Sequence, residues 1–334
     1  MKAMVVKAAN QPFVLEERPN PQPGRGQVRI KVHACGVCHS DSFVAQGLWP
    51  GLQLPRITGH EVAGTIDALG DDVTTFKVGE RVGVGWHGGH DGTCPACMRG
   101  KFIHCEHAMV TGISADGGYA EYMVAPAVAV ARLPEGMPFD IAAPLLCAGV
   151  TTFNALRRSN VRPGDVVAIH GLGGLGHLGV QYARAMGFDT VAIARGPDKA
   201  DFAHQLGARF YIDSEREDAA KVLQSLGGAQ VILATAPSAA AIASMVGGLG
   251  IEGSLAIVAA AFEPMPISGV DLLTHDQRIQ GWASGTAADS TDAMAFSQRM
   301  GVKPMIEKFP LDQAQAAYER MMSGKARFRA VLEM

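Results

Sequence analysis

The stretch Val166-Val-Ala-Ile-His-Gly-Leu-Gly-Gly-Leu-Gly-His-Leu-Gly179 constrains this chain more than any other. Val166 to Ile169 is an apolar, β-branched run of strand length. Gly171, Gly173 and Gly176 follow at G-x-G-x-x-G spacing, and a helical pattern continues through Gly179–Met186 to stop at Gly187. Strand, glycine turn and helix in that order form the dinucleotide-binding fingerprint. Gly171 permits the tight turn, Gly173 lets backbone approach a pyrophosphate, and Gly176 lets helix pack closely on strand. The helix N-terminus then offers free N–H groups to the phosphates.

At 334 residues the chain is long for one core and natural for two domains. Its net charge of −3, with no basic block, excludes a nucleic-acid footprint. No run of eighteen or more apolar residues stands out, and the N-terminus reads as a strand rather than a signal peptide, so no membrane partner is expected and the cytoplasm is the expected location. In that setting the six cysteines, Cys35, Cys38, Cys94, Cys97, Cys105 and Cys147, read as metal or catalytic groups before disulfides.

Up to about residue 145 the pattern is β-rich. Val28–Ala34 alternates as a half-buried strand, and short glycine-bounded strands are expected at Ala63–Gly70 and Gly79–Val84. From Thr151 strands and helices alternate: Val166–Ile169, Thr190–Ala194, Gln230–Ala234 and Ser254–Ala259, with helices between, which argues βαβ units on a parallel sheet. From about Val302 the chain returns to a strand, a short helix over Leu311–Ser323 and a closing strand, Phe328–Leu332.

Three separated elements offer metal ligands: Cys38-His-Ser-Asp41, Gly59-His60-Glu61 and Leu146-Cys147-Ala-Gly-Val-Thr151. Two thiolates and one imidazole are a ligand set for a catalytic zinc, which keeps its fourth position open. Such an ion acts as a Lewis acid on a carbonyl or an alcohol. Cys35 also makes C-x-x-C with Cys38, but the surrounding βαβ context of a redox pair is missing, and Cys35 reads as an ordinary small residue.

These motifs together with Gly171–Gly176 resemble the zinc-dependent medium-chain alcohol dehydrogenases over nearly the whole length, closest to the microbial and cinnamyl-alcohol-dehydrogenase-like members. The resemblance implies an α/β fold: a central Rossmann domain, a doubly wound parallel sheet, over residues 149–287, and a β-rich GroES-like catalytic domain over 1–148 completed by 288–334. It implies Cys38, His60 and Cys147 as ligands of a catalytic zinc, Glu61 behind it as a supporting group or a transient ligand, and Asp41 orienting His60 through its other nitrogen. Ser40 would accept the proton of the alcohol. His39 and Arg329 would touch the cofactor pyrophosphate, Thr151 would face the nicotinamide, and Gly174, Leu175 and Val258 would also lie at the cofactor. Trp49 and Trp86 would line the substrate pocket, with plain core packing as the other reading. Many members carry a histidine three residues after the Ser40 position; Phe43 stands there, and a phenyl ring carries no proton.

A second cluster, Asp91-x₂-Cys94-x₂-Cys97-x₇-Cys105, matches the family's structural zinc lobe, about residues 87–107, with Asp91 where the family has a fourth cysteine. Aspartate oxygen does bind zinc; His90 is the alternative, and His87, His104 and His107 are nearer the margin. Two zinc ions per chain are therefore expected.

The expected reaction is hydride transfer between a primary alcohol or aldehyde and a nicotinamide cofactor, with a polyol or sugar dehydrogenase as one alternative and a zinc-free nucleotide-binding relative as another. The carboxylate that holds the ribose 2′-hydroxyl in NAD enzymes belongs at the end of the second strand, where Ala194 stands, followed by Arg195 and, one turn on, Lys199. Arginine offers planar donors to a 2′-phosphate, so NADP(H) is favoured, with NAD(H) open because Asp198 lies in the same loop. Family members of this length are homotetramers or, in the cinnamyl branch, homodimers; late Rossmann residues near Gln280–Gly285 are expected to pair across a two-fold axis.

Overall fold

The computed structural model describes all residues, Met1–Met334, as two compact units. One comprises Met1–Val150, Ser284–Arg299 and Lys303–Met334; the other comprises Thr151–Ala283 and Met300–Val302. The change-overs thus fall at Val150/Thr151 and Ala283/Ser284, against 148/149 and 287/288 from the sequence.

The first unit is built on a mixed seven-stranded sheet. Ile306–Pro310, Arg329–Glu333, Gln27–Val37, Val62–Leu69, Arg81–Val84 and Val130–Arg132 lie in that order, and Tyr122–Pro126 pairs with the long strand Gln27–Val37. That strand alternates Val28, Ile30, Val32 and Ala34 into the core, as its period-two pattern requires. The late strand Arg329–Glu333 inserts antiparallel beside it, with Ala330 opposite Val37 and Leu332 opposite Cys35. Residues from both ends of the chain therefore meet in one sheet.

The second unit holds six parallel strands in the order Phe210–Asp213, Asp189–Ala194, Val166–His170, Ala229–Ala234, Leu249–Ile257, Arg278–Gly281. This is the doubly wound order 3-2-1-4-5-6, whose crevice opens beyond the carboxyl ends of the strands where the order reverses. Here the reversal lies between Val166–His170 and Ala229–Ala234. The helix after the glycine turn spans Gly176–Ala185.

Two expectations need correction, and one long helix was not foreseen. The helix near Ala239–Leu249 shortens to Ala239–Ala243 and a tight turn at Val246–Gly248, because Gly247 and Gly248 are poor helix formers. The last strand of the parallel sheet is Arg278–Gly281 and does not reach residue 285. One helical run, Phe139–Arg157, is long and apolar enough to cross a membrane, but 78% of its most apolar window is buried inside the protein.

Candidate active site

Sheet register assembles the first metal cluster. Cys35 pairs with Val62 on neighbouring antiparallel strands, so the residues just beyond one strand, Cys38, meet those just before the other, His60 and Glu61. Ala330 opposite Val37 sets Arg329 beside the same point. Cys147 arrives from a π-helical turn, Leu145–Gly149, inside the Phe139–Arg157 run; such turns re-aim side chains and recur at functional sites. The ligand atoms of Cys38, His60, Glu61 and Cys147 all lie within 4.8 Å of one another. The two sulfurs are 3.9 Å apart, close to the roughly 3.8 Å that two 2.3 Å zinc–sulfur bonds span at a tetrahedral angle. His60 Nε2 and Glu61 Oε2 are buried without a hydrogen-bond partner. Two thiols and two orphaned buried donor atoms facing one point fit a zinc ion.

Charge at the cluster is arranged to match. Cys147 as a donor, together with His60 and Arg329, holds the Cys38 thiol well below the ordinary range against its burial. The same contact, with burial, pushes the Cys147 thiol up. Burial raises Glu61 to about 7, while Arg329 pulls it back. Arg329 is itself buried: its Nη2 donates to Glu61 Oε1 and to the Val37 carbonyl, the latter at 3.2 Å. The residue expected at a pyrophosphate serves in this structure as counter-charge to Glu61.

Asp41 stands behind His60, with Oδ1 3.4 Å from His60 Nδ1. Ser40 is half-buried on the short turn His39–Asp41, and His39 is exposed. Trp86 stands edge-on to His60, ring centres 5.0 Å apart. Trp49 lies 5.8 Å from Trp86, and Phe43 lies 5.7 Å from Trp49 and 6.4 Å from Trp86. These three rings form an aromatic wall beside the cluster. Cys35 lies on the strand, fully buried, and burial pushes its thiol well above the usual range, which leaves it inert.

The second cluster brings Asp91, Cys94, Cys97 and Cys105 within the same 4.8 Å limit. Asp91 Oδ1 accepts the N–H groups of Thr93 (2.8 Å) and Cys94 (3.0 Å). Its Oδ2 lies 2.6 Å from His107 Nδ1. The Cys94 N–H and His107 hold the Asp91 carboxyl well below the usual carboxylate range, while burial pushes Cys97 up to about 12. His90 lies outside the cluster, stacked between His87 at 5.2 Å and Phe102 at 4.3 Å. The geometry therefore gathers Asp91, not His90, with the three thiols, and His104 and His87 are not part of it.

In the second unit, the glycine turn has the steric form its sequence requires. Gly171 has φ +97°, and a Cβ there would lie 2.8 Å from Thr235 Oγ1. On Gly176 a Cβ would lie 1.8 Å from the Gly171 carbonyl oxygen, whereas on Gly173 it would meet nothing within 4 Å. Gly173 is thus the open, exposed backbone of the loop, between Leu172 and the half-buried Gly174 and Leu175. Thr151 is buried at the head of the unit, and Val258 follows the strand Leu249–Ile257. Ala194 closes its strand, buried; Arg195 is exposed, and Lys199 folds back to donate to the Arg195 carbonyl at 3.1 Å. Sequence reasoning missed Asp213, whose Oδ1 accepts the Gly196 N–H at 2.9 Å from the neighbouring strand end. It also missed Thr58 and Tyr119, which bond to Asp41. No local motif marks any of the three.

Comparison with known proteins agrees with this geometry. Residues 24–135 match the family model "Alcohol dehydrogenase GroES-like domain", and residues 174–299 match "Zinc-binding dehydrogenase". The chain is 43% identical to an alcohol dehydrogenase of Aspergillus sp. (strain MF297-2), covering 100% of this chain and 98% of the relative. It is 39% identical to an alcohol dehydrogenase of Geobacillus stearothermophilus over the full length of both. A solved cinnamyl alcohol dehydrogenase of Sorghum bicolor superposes with TM-score 0.91 at 31% identity, covering 99% of this chain and 97% of that one. The chain belongs to the zinc-type medium-chain alcohol dehydrogenase family and is an alcohol oxidoreductase with a GroES-like domain and a Rossmann domain.

Proposed function

We propose that this oxidoreductase depends on a zinc ion held by Cys38, His60 and Cys147, and interconverts apolar primary alcohols and aldehydes with a nicotinamide cofactor. The observation that carries the reading is the convergence of those three ligand atoms within 4.8 Å. When bound, zinc supplies a Lewis acid for the substrate oxygen. Ser40, on the turn between Cys38 and Asp41, receives the proton of the alcohol. Phe43, Trp49 and Trp86 present an apolar wall that suits an alkyl or aryl group better than a polyol. A second zinc is held by Asp91, Cys94, Cys97 and Cys105 and serves stability.

For the cofactor we propose NADP(H), on the strength of exposed Arg195 beside Ala194. Asp213, whose carboxylate anchors Gly196, puts negative charge against the same loop and supports NAD(H) as the second reading. The strand Arg278–Gly281, at the edge of the parallel sheet, is the proposed site of self-association into a homodimer or homotetramer across a two-fold axis. The proposed location is the cytoplasm.

Metal analysis and a panel of primary alcohols, secondary alcohols and polyols with both cofactors test the reading. Two zinc ions per chain, loss of one together with turnover in Cys147→Ala, and faster turnover of butanol or benzyl alcohol than of polyols are expected. Active protein without zinc would overturn it. A lower KM for NADP that Arg195→Ala erases, by about 1.5–3 kcal/mol for one charged hydrogen bond, supports NADP(H); an unchanged preference in that variant supports NAD(H).

A further inference from the structure

Asp41 is fully buried, and both of its carboxylate oxygens are engaged. Oδ1 accepts the Thr58 hydroxyl at 3.0 Å and faces His60 Nδ1 at 3.4 Å. Oδ2 accepts the Cys38 N–H at 2.9 Å and the Tyr119 hydroxyl at 2.9 Å. Three donors at fixed positions leave a buried carboxylate one orientation. That orientation presents Oδ1 to His60, so Nδ1 carries the proton and the orphaned Nε2 keeps its lone pair for the cluster.

Tyr119 reaches this point from far along the chain, and the interior is shaped to admit it. A Cβ on Gly59, next to the ligand His60, would stand 2.4 Å from the Tyr119 ring and 2.9 Å from Cys35 Sγ. On Gly118 it would stand 2.9 Å from the same sulfur. Gly59 and the compact Cys35 thus leave room for the ring, which gives Cys35 a packing role in place of redox chemistry. Apolar packing alone would be served by phenylalanine; the hydroxyl adds one thing, a buried hydrogen bond to the carboxylate behind a metal ligand. Burial, then the charge of Asp41, push the phenol well above its ordinary range, so it remains a donor at any working pH.

We propose that Tyr119 and Thr58 are positioning residues for His60: their hydroxyls clamp the Asp41 carboxylate, which fixes the ring and tautomer of the ligand. The proposal rests on the reading of Cys38, His60 and Cys147 as a zinc site. Groups in such a supporting position change metal affinity about 10- to 100-fold when removed.

The test is zinc release from the full-length protein to a chromogenic chelator, followed with time, together with the visible spectrum of the cobalt-substituted protein. Tyr119→Phe and Thr58→Val remove one hydroxyl each with little change in shape, and Thr58→Ser restores one. Two release phases are expected in the unmodified protein, with Cys147→Ala removing one and so assigning it. In Tyr119→Phe and Thr58→Val the assigned phase should accelerate about 10-fold or more, the other phase should stay unchanged, and the cobalt bands should shift. Thr58→Ser should release zinc at the unmodified rate. Unchanged release and spectra in both hydroxyl-deleted variants would overturn the positioning role, even if their melting temperatures fell. A Cys147→Ala protein with undiminished zinc and both phases intact would instead refute the metal site itself, and the proposal with it.

Discussion

Arg329 and Glu61 form an ion pair in the interior of the first unit, the guanidinium 4% exposed and the carboxylate wholly enclosed. Gly36 makes room for it: a Cβ there would lie 1.8 Å from Glu61 Oε2. Removing one partner of a buried pair strands the other, at a cost of about 3–5 kcal/mol. Arg329→Gln is therefore expected to lower the free energy of unfolding by about that amount in denaturant titrations. Adding Glu61→Gln should recover much of the loss. A single variant as stable as the parent would show that Glu61 is neutral in the folded chain.

Gly176 and Gly173 share a loop but differ in what surrounds them. Gly176→Ala drives a methyl group against the Gly171 carbonyl and should cost about 1–3 kcal/mol of stability. Gly173→Ala has open space and should leave the melting temperature unchanged. It should raise the cofactor dissociation constant at least about tenfold, because the loop backbone can no longer approach a pyrophosphate. Calorimetry and cofactor titration on both variants separate the two roles.

Asp91 Oδ2 lies 2.6 Å from His107 Nδ1, while the Thr93 and Cys94 N–H groups hold its other oxygen. Asp91→Ala should lose the zinc proposed for the lobe, and His107→Ala should loosen it, whereas His90→Ala, outside the four-residue group, should retain it. Metal analysis after dialysis against a mild chelator measures all three. Retention in Asp91→Ala and loss in His90→Ala would move the fourth ligand.

His87 sets a pH dependence. Burial first, and then the neighbouring His90, lower its pKa from 6.5 to about 4. The unfolded chain therefore binds the proton more readily than the folded one. Stability from this group is complete above about pH 6.5 and is lost as pH falls toward 4, by up to about 3 kcal/mol. His87→Leu should flatten the fall in unfolding free energy between pH 7 and pH 5. An equal slope in the two proteins would assign the acid sensitivity to other groups.

Ser40→Ala is expected to slow turnover about 10²-fold, the usual loss for a positioned proton-transfer group. Steady-state rates with a primary alcohol measure it, and undiminished turnover would remove Ser40 from the proton path.

Much of this was legible because the chemistry is written in short segments. Gly171 to Gly176 carry their own steric logic, and Cys38, His60 and Cys147 stand in recognisable local contexts. The supporting groups are not local. Tyr119 meets Asp41 across 78 positions, and nothing in Gly-Gly-Tyr-Ala marks a hydroxyl aimed at a carboxylate. His107 reaches Asp91 only because the lobe folds back on its cysteines. Asp213 touches Gly196 through the pairing of parallel strands, a register that periodicity does not reveal. Phe139–Arg157 is hard to read as a helix from sequence because Pro144 and Gly149 interrupt its pattern; Pro144 directly precedes the π turn that presents Cys147, and Gly149 is its last residue.

The strand Arg329–Glu333 lies beside Gln27–Val37, although the whole second unit separates them in the chain. On the ribosome, Cys38, His60 and Cys147 all emerge before that unit is made, and Arg329 emerges after it. A nascent or truncated chain thus possesses every ligand of the first cluster while Glu61 lacks its counter-charge and the sheet lacks the strand beside Cys35 and Val37. Synthesis order makes the strand Arg329–Glu333 the latch of the first unit: Glu61 gains its counter-charge, and the proposed metal site its final surroundings, only once that strand is in place.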